Sequence, residues 1–180
     1  GAVLEGADLS KANLQKANLR KAYLVKAKLD GADLTHANLS YAVLNRGSLI
    51  GVTAYRTSFA HASLTFANLY TADLRESNFD YASGAMANFY SANLARSWFF
   101  RSNFMSANFT SANLYDARFR RANLSEALLR SANLTSATVV GSNLTKAELT
   151  SANLDDANLA GTDMEDAKFT ADSIREAYKK

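Results

Sequence analysis

The sequence repeats with a period of five residues, and the phase of the repeat never shifts between Leu4 and Phe169. Of the 34 residues at this central position, 22 are Leu and eight are Phe. A second position lies two residues earlier, from Ala2 to Ala167, and 26 of its residues are Ala. No charged residue occupies either position, although 21% of the chain is charged. Because an unpaired charge is costly to bury, both positions are predicted to face a dry core.

A period of five fits neither a regular helix nor a flat strand. Five residues turn an α-helix by about 500°, so successive Leu side chains would drift around its surface. In a flat strand, the two-residue alternation would send the Leu of neighbouring repeats to opposite faces. The pattern therefore predicts a short extended segment and a corner in every repeat. Since Phe59, Phe79, Phe99 and Phe119 recur every 20 residues, we expect four repeats per coil and about 8.5 coils.

The segments ADLSKANLQKANLRKA at 7–22 and SANLYDARFRRANLSEA at 111–127 resemble the pentapeptide-repeat proteins, whose pattern is A-(D/N)-L-x-x. The resemblance covers roughly residues 2–169. It implies an all-β fold over residues 1–171, a right-handed quadrilateral parallel β-helix with the A and L/F positions inside. Ala-rich repeats without Cys are similar to those of many cyanobacterial members, and plastid-lumen relatives exist. Other members of the family protect DNA gyrase by imitating the charge and shape of duplex DNA.

Two further features of the repeat predict details of its packing. Asn or Asp precedes the central residue in 19 of the 34 repeats. These residues bond readily to nearby backbone groups, which predicts a ladder that braces the corners. Small residues interrupt the central position at Ala54 and Gly84. We expect Val52 to compensate for Ala54 in the same repeat, and Phe104, one coil away, to fill the gap at Gly84.

The two ends of the sequence differ. After Phe169 the repeat stops, and Ser173 and Glu176 fit a helix capping box. We therefore predict a short capping helix over residues 172–180, with a dimerisation element as the alternative reading. The first residues already stand in register, so either an upstream segment was removed or this end meets another molecule. We expect a monomer, or a homodimer formed through a solenoid end.

The sequence offers little catalytic chemistry. It has no cysteine and none of the nucleotide-binding, zinc-protease or serine-hydrolase motifs. His36 and His61 both lie at outward positions, and two His without a third ligand make a poor metal site. A solvated acidic end is predicted from Asp155, Asp156, Asp163, Glu165 and Asp166. We expect a protein that is not an enzyme and that needs no cofactor or metal.

Neither a membrane span nor a signal peptide is predicted. No apolar run approaches the roughly 18 residues needed to cross a bilayer, and no signal pattern opens the sequence. We expect a cytoplasmic protein without membrane contact. The thylakoid lumen or the periplasm is the alternative if a signal segment was removed.

The outward residues differ from one predicted side of the coil to the next. One side combines exposed aromatic residues, the single Trp and an excess of Arg, which are the residue types that interface hot spots favour. Its candidate interaction residues are Arg20, Lys21, Tyr41, His61, Tyr81, Trp98, Phe100, Arg101, Arg118, Arg120 and Arg121. The simpler interpretation is that stacked aromatic rings stabilise adjacent coils, as cross-strand pairs do. A second, weaker apolar stripe follows Val3, Tyr23, Val25, Val43, Phe66, Met86 and Met105.

Three hypotheses for the function follow. The first is a rigid, non-enzymatic scaffold that binds a protein partner. The second, implied by the resemblance, is a DNA mimic that modulates DNA gyrase or topoisomerase, although such a mimic should be acidic along its whole length. The third is nucleic-acid binding through the aromatic and basic residues, which a net charge of only +3 supports poorly.

Overall fold

The computed structural model describes residues 1–170 together with Ser173 and Ala177. Its β-structure consists of isolated parallel bridges, one residue in each repeat, rather than longer strands. The 30 bridges begin at Val3–Tyr23 and end at Glu148–Lys168, and each joins residues 20 positions apart. Bridged residues are therefore separated by four repeats. The predicted handedness remains an expectation from the family resemblance.

Backbone hydrogen bonds connect each coil to the next with one fixed pattern. Around Leu64, the N–H of Leu64 donates to the carbonyl of Ser83 at 2.6 Å, and the N–H of Ser83 donates to the carbonyl of Ala62 at 2.9 Å. A third bond runs from the N–H of Phe66 to the carbonyl of Ala85 at 3.1 Å. The extended segment is short because a corner follows it immediately. One bridging residue in each repeat therefore aligns neighbouring coils, together with these hydrogen bonds.

Each corner is a tight turn closed by a backbone hydrogen bond. The N–H of Ala12, for example, donates to the carbonyl of Leu9 at 3.1 Å across Ser10 and Lys11. The second turn residue has a positive φ at every corner from Gly6 to Asp166, yet glycine occupies it at only five of these corners. A positive φ is unfavourable for residues with a Cβ. The inter-coil hydrogen bonds therefore hold many side-chain-bearing residues in a left-handed conformation.

The interior is filled as the repeat predicts. From Ala22 to Leu159, the described residues at both inward positions are almost completely buried. Phe59, Phe79, Phe99 and Phe119 form one stack, with ring centroids 4.8, 4.9 and 4.4 Å apart. Ser and Thr at the small inward position bond to backbone carbonyls, as Ser77 does to Ala54 at 2.6 Å. No buried side-chain nitrogen or oxygen of the described residues lacks a hydrogen-bond partner.

The predicted Asn ladder is confirmed. The side-chain oxygen of Asn88 accepts a hydrogen bond from the backbone N–H of Tyr90 at 3.1 Å, two residues further on. The side-chain amide of Asn88 also donates to the oxygen of Asn68 at 3.0 Å, one coil away. The amide of Asn108 continues this ladder to Asn88 at 3.3 Å. Each Asn in such a ladder therefore braces its own corner and connects it to the neighbouring coil.

The region after the repeats is described at two residues. Ser173 is buried, its hydroxyl lies 2.7 Å from that of Thr170, and Ala177 packs against the core. The predicted capping helix over 172–180 otherwise lies outside the described residues. Within the part of the chain that is described, no helix has the length and apolar character needed to cross a bilayer.

The gap at Gly84 is filled by Phe104, as the sequence predicts. A Cβ placed on Gly84 would lie 2.1 Å from Cε1 and 2.5 Å from Cδ1 of the Phe104 ring. The ring itself is fully buried and packs edge-on against Phe99 at 5.2 Å. The small residue and the large one are therefore a matched pair across two coils.

We predict that Gly84→Ala destabilises the protein by about 1–3 kcal/mol, because the added methyl group collides with a ring that cannot move away. The substitution should cost much less in a Phe104→Leu background, which removes part of the colliding ring. Urea unfolding of the two single variants and the double variant measures this coupling. Additive changes in the free energy of unfolding would contradict the matched pair.

The strain at the corners can be measured at Gly161, which has φ +64° and no atom of residues 1–170 within 4 Å of an added Cβ. We predict that Gly161→Ala destabilises the protein by about 1 kcal/mol through backbone strain alone. Gly161→Asn should cost less, because Asn tolerates a positive φ. Equal losses in thermal unfolding for Ala and Asn would show that strain is not the cause.

Candidate functional site

The predicted interaction residues occupy one side of the coil, here called the aromatic–basic side. It consists of three columns of outward residues at 18–158, 20–160 and 21–161, each with a spacing of 20 residues. These columns, which the structure describes completely, hold six Lys or Arg and a single carboxylate, Asp80. Since the whole chain carries a net charge of +3, its positive charge is concentrated on this side.

Three exposed rings form a continuous stack, here called the ring ladder. The ring centroids of Tyr41 and His61 lie 4.5 Å apart with an interplanar angle of 3°, and those of His61 and Tyr81 lie 4.9 Å apart with an angle of 1°. The 20-residue register produces this stack, because each residue lies directly above its equivalent in the preceding coil. Tyr41 and Tyr81 are each 44% exposed, so the ring edges face solvent.

Cationic and aromatic groups extend the ring ladder at both ends. The guanidinium of Arg20 lies 4.8 Å from the ring centroid of Tyr41. At the other end, Phe100 packs edge-on against Tyr81 at 5.4 Å, and the guanidinium of Arg101 lies 5.3 Å from the Phe100 centroid. Six of the predicted residues are therefore joined by direct contacts. Stacking between coils, the simpler interpretation of the sequence, is thus part of what these residues do.

The remaining predicted residues lie near the two ends of this line. Lys21 stands one coil below Tyr41 in the same column and is exposed. Trp98 is half-buried and forms a parallel bridge with Arg118 in the next coil. The exposed side chains of the next coil complete a group here called the arginine cluster: Arg101, Arg118, Arg120 and Arg121. None of the four forms an ion pair with another described residue.

A neighbouring side, which the sequence analysis did not single out, carries paired charges. Its columns at 13–153, 15–155 and 16–156 are here called the ion-paired side. Arg56 bonds to Glu76 at 2.7 Å, and the Nε and Nη2 atoms of Arg75 bond to the carboxylate of Asp73 at 2.8 and 2.7 Å. A looser pair joins Arg96 and Asp116 at 3.9 Å. Charges of opposite sign alternate along one column at positions 56, 76, 96 and 116, a signal that could have identified the Arg56–Glu76 and Arg96–Asp116 pairs.

The Arg56–Glu76 and Arg75–Asp73 pairs shift the pKa values of their members. The hydrogen bond from Arg75 lowers the pKa of Asp73, against the effect of partial burial. The hydrogen bond from Arg56 lowers the pKa of Glu76 and raises that of Arg56. The carboxylates therefore remain charged and bound to their arginines at neutral pH.

A shallow groove of about 420 Å³ opens where Ala95 interrupts a column of larger residues, between Arg75 and Tyr115.

The predicted apolar stripe also lies on one side of the coil. Phe66 and Met86, one coil apart, are each 50% exposed, and Tyr23 and Met105 are exposed nearby. Val25 and Val43 are half-buried.

The described residues show no group of three or more His, Cys, Asp or Glu that could hold a metal ion.

Comparisons with known proteins identify the repeat. A family model of pentapeptide repeats matches eight copies, over residues 1–24, 17–53, 55–83, 87–126 and 127–166. A search of curated proteins gave no significant match.

Several solved pentapeptide-repeat structures are similar. HetL, involved in heterocyst differentiation regulation in the cyanobacterium Nostoc sp. strain PCC 7120, is 29% identical over 93% of this chain and 86% of that chain, with a TM-score of 0.41. A trypsin-treated form of QnrB1, a plasmid-mediated fluoroquinolone resistance protein, is 15% identical over 94% of this chain and 92% of that chain, with a TM-score of 0.50. At this identity, the likeness to QnrB1 concerns the fold alone.

The contribution of the ring ladder to stability can be separated from any role in binding. We predict that His61→Ala lowers the free energy of unfolding by about 1 kcal/mol, because both stacking contacts of the central ring are lost. His61→Phe should retain most of the stability, because it keeps a planar ring between the two Tyr rings. Chemical denaturation measures both variants. Equal destabilisation by Ala and Phe would contradict stacking as the source.

Proposed function

Since this chain belongs to the pentapeptide repeat proteins, we propose that it is a non-enzymatic scaffold that binds a protein partner through its aromatic–basic side. The observation that carries the proposal is a contrast between two sides of the same coils. On the ion-paired side, Arg56, Arg75 and Arg96 each have a carboxylate partner within 4 Å. On the aromatic–basic side, the arginine cluster has no such partner among the described residues. Unpaired, exposed guanidinium groups beside aromatic rings are available to another molecule.

The backbone supports this role because the surface is fixed before binding. Three inter-coil hydrogen bonds per repeat and the Asn ladders hold each outward residue in register. A preformed surface reduces the conformational entropy that association must overcome. We propose that the scaffold is the right-handed quadrilateral β-helix of about 8.5 coils with a C-terminal capping helix that the sequence predicts.

The side chains have the composition of an interaction hot spot. Trp, Tyr and Arg contribute most to protein interfaces, where a half-buried anchor lies beside groups that exclude water. Trp98 is such an anchor, with Phe100 beside it and Arg118 in the next coil. The ring ladder adds rigid side chains whose rotamers are already fixed by stacking. We therefore assign the centre of the interface to the region between Tyr81 and Arg121.

The gyrase-mimic hypothesis receives less support from the charge distribution. A mimic of duplex DNA should present carboxylates along its length. Here the aromatic–basic side presents six cationic groups against Asp80, and seven of the 17 acidic residues fall within the last 30 residues of the sequence. Retention of gyrase supercoiling activity in the presence of a quinolone would revive the mimic hypothesis.

We predict that Arg101→Glu/Arg121→Glu abolishes capture of a protein partner by the immobilised chain, because two adjacent charges change sign at the centre of the interface. A matched control is Lys26→Glu/Arg46→Glu, which makes the same charge change at the same turn position, one coil apart, on the side with the apolar stripe. The control should capture the same partner as the unchanged protein in pull-downs. Equal capture by both variants would exclude the aromatic–basic side as the interface.

A further inference from the structure

We infer that the partner's contact segment is acidic: an extended protein segment that presents several carboxylates to the arginine cluster and an apolar side chain to Trp98 and Phe100. This inference rests on the proposed function and specifies its partner. Four guanidinium groups lie within two adjacent coils, and none of them has a carboxylate partner within 4 Å among the described residues.

The arginine cluster has a defined layout of two rows. Trp98, Phe100 and Arg101 form the lower row, and the residues 20 positions later, all Arg, form the upper row. The parallel bridge from Trp98 to Arg118 and a backbone hydrogen bond of 3.1 Å from Arg101 to Arg120 fix the two rows against each other. Like charges are therefore held side by side. Their mutual repulsion is relieved when an anion binds between them.

The single carboxylate on this side, Asp80, forms no ion pair with the cluster. The Oδ1 atom of Asp80 accepts a hydrogen bond from the backbone N–H of Phe100 at 2.8 Å. Asp80 is only half-exposed and is engaged in this corner. An external carboxylate is a suitable partner, because a planar guanidinium binds it through two parallel hydrogen bonds.

The two corner positions above the cluster in the same column carry no side chains. The turn residues in the next two coils of the column are Gly141 and Gly161. Among the described residues, the nearest atom to an added Cβ on Gly141 would be Cγ of Arg121 at 3.8 Å, and none lies within 4 Å at Gly161. Arg121 is therefore the last side chain of this column, and the two glycine corners above it leave its guanidinium uncovered from that direction by other residues of the column.

The geometry of the ring ladder favours a protein partner over a nucleic acid. Proteins that bind single strands stack bases on free aromatic faces. Here the faces of Tyr41, His61 and Tyr81 already contact each other, and Arg20 and Phe100 cover the two outer rings. The exposed ring edges suit a peptide side chain better than a base.

The experiment uses Trp98, the single Trp of the chain, as a fluorescence reporter. The probe is a synthetic peptide with six Glu residues around a central Phe, and the control peptide carries Gln in place of each Glu. We expect the Glu peptide to bind at least about tenfold more tightly, with an affinity that falls as the salt concentration rises from about 50 to 200 mM. A peptide with Ser in place of Phe should bind more weakly, because the contact with Trp98 and Phe100 is lost.

Matched variants localise the binding. Arg118→Gln/Arg120→Gln should weaken binding of the Glu peptide at least about tenfold, as two charge-assisted contacts are removed. Lys26→Gln/Arg46→Gln removes the same charge elsewhere and should leave the affinity unchanged. Circular dichroism of both variants establishes that they are folded. Equal binding of the Glu and Gln peptides, or tighter binding of a short oligothymidylate than of the Glu peptide, would overturn the acidic-segment inference.

The two proposals fail in different ways. If Arg101→Glu/Arg121→Glu loses its captured partner while the Glu and Gln peptides bind equally, the acidic segment is wrong and the scaffold proposal stands. If that variant and its control capture the same partner equally, the scaffold proposal is wrong and the acidic-segment inference falls with it.

Discussion

The structure depends on backbone hydrogen bonds that join residues 20 positions apart. They require that every repeat have the same length, because one inserted residue would shift all later repeats against their neighbours. They also fix which side chains meet across coils. Each inward residue therefore packs against the residue 20 positions away, which explains why Ala, Leu and Phe recur at the two inward positions, while the outward positions vary more.

The same register places each outward residue next to the residue 20 positions away in the same column. The interactions on each side of the coil therefore depend on which residue types follow one another along a column. Where charges alternate, as at positions 56, 76, 96 and 116, adjacent coils form ion pairs. Where aromatic residues follow one another, as at Tyr41, His61 and Tyr81, they stack. Where arginines follow one another, as at Arg101 and Arg121, the coils hold like charges together. The first two arrangements satisfy their members internally, and the third leaves them available to an external anion.

Much of this architecture could be predicted from the sequence because a strict period carries geometric information. The five-residue phase gave the inward positions, and the 20-residue recurrence of Phe gave the number of repeats per coil. Even the pairing of Gly84 with Phe104 followed from counting. The ion-paired side was missed, although its alternating charges are visible in the sequence. The Arg75–Asp73 pair lies within one repeat and depends on a side-chain rotamer, which periodicity does not specify. The edge-on orientation of Phe100 against Tyr81 likewise depends on a side-chain rotamer, which periodicity does not specify.

The left-handed corners have a consequence for how such a surface changes over evolutionary time. The residues of the ring ladder, together with Arg101 and Arg121, all occupy corner positions with φ between 50° and 62°. Glycine would relieve about 1–2 kcal/mol of strain at such a position, apart from its greater freedom in the unfolded chain. A bulky side chain retained there works against the preference of the backbone. Five corners already carry glycine, so replacement of a contact residue by glycine would remove the contact and leave the geometry of the corner intact.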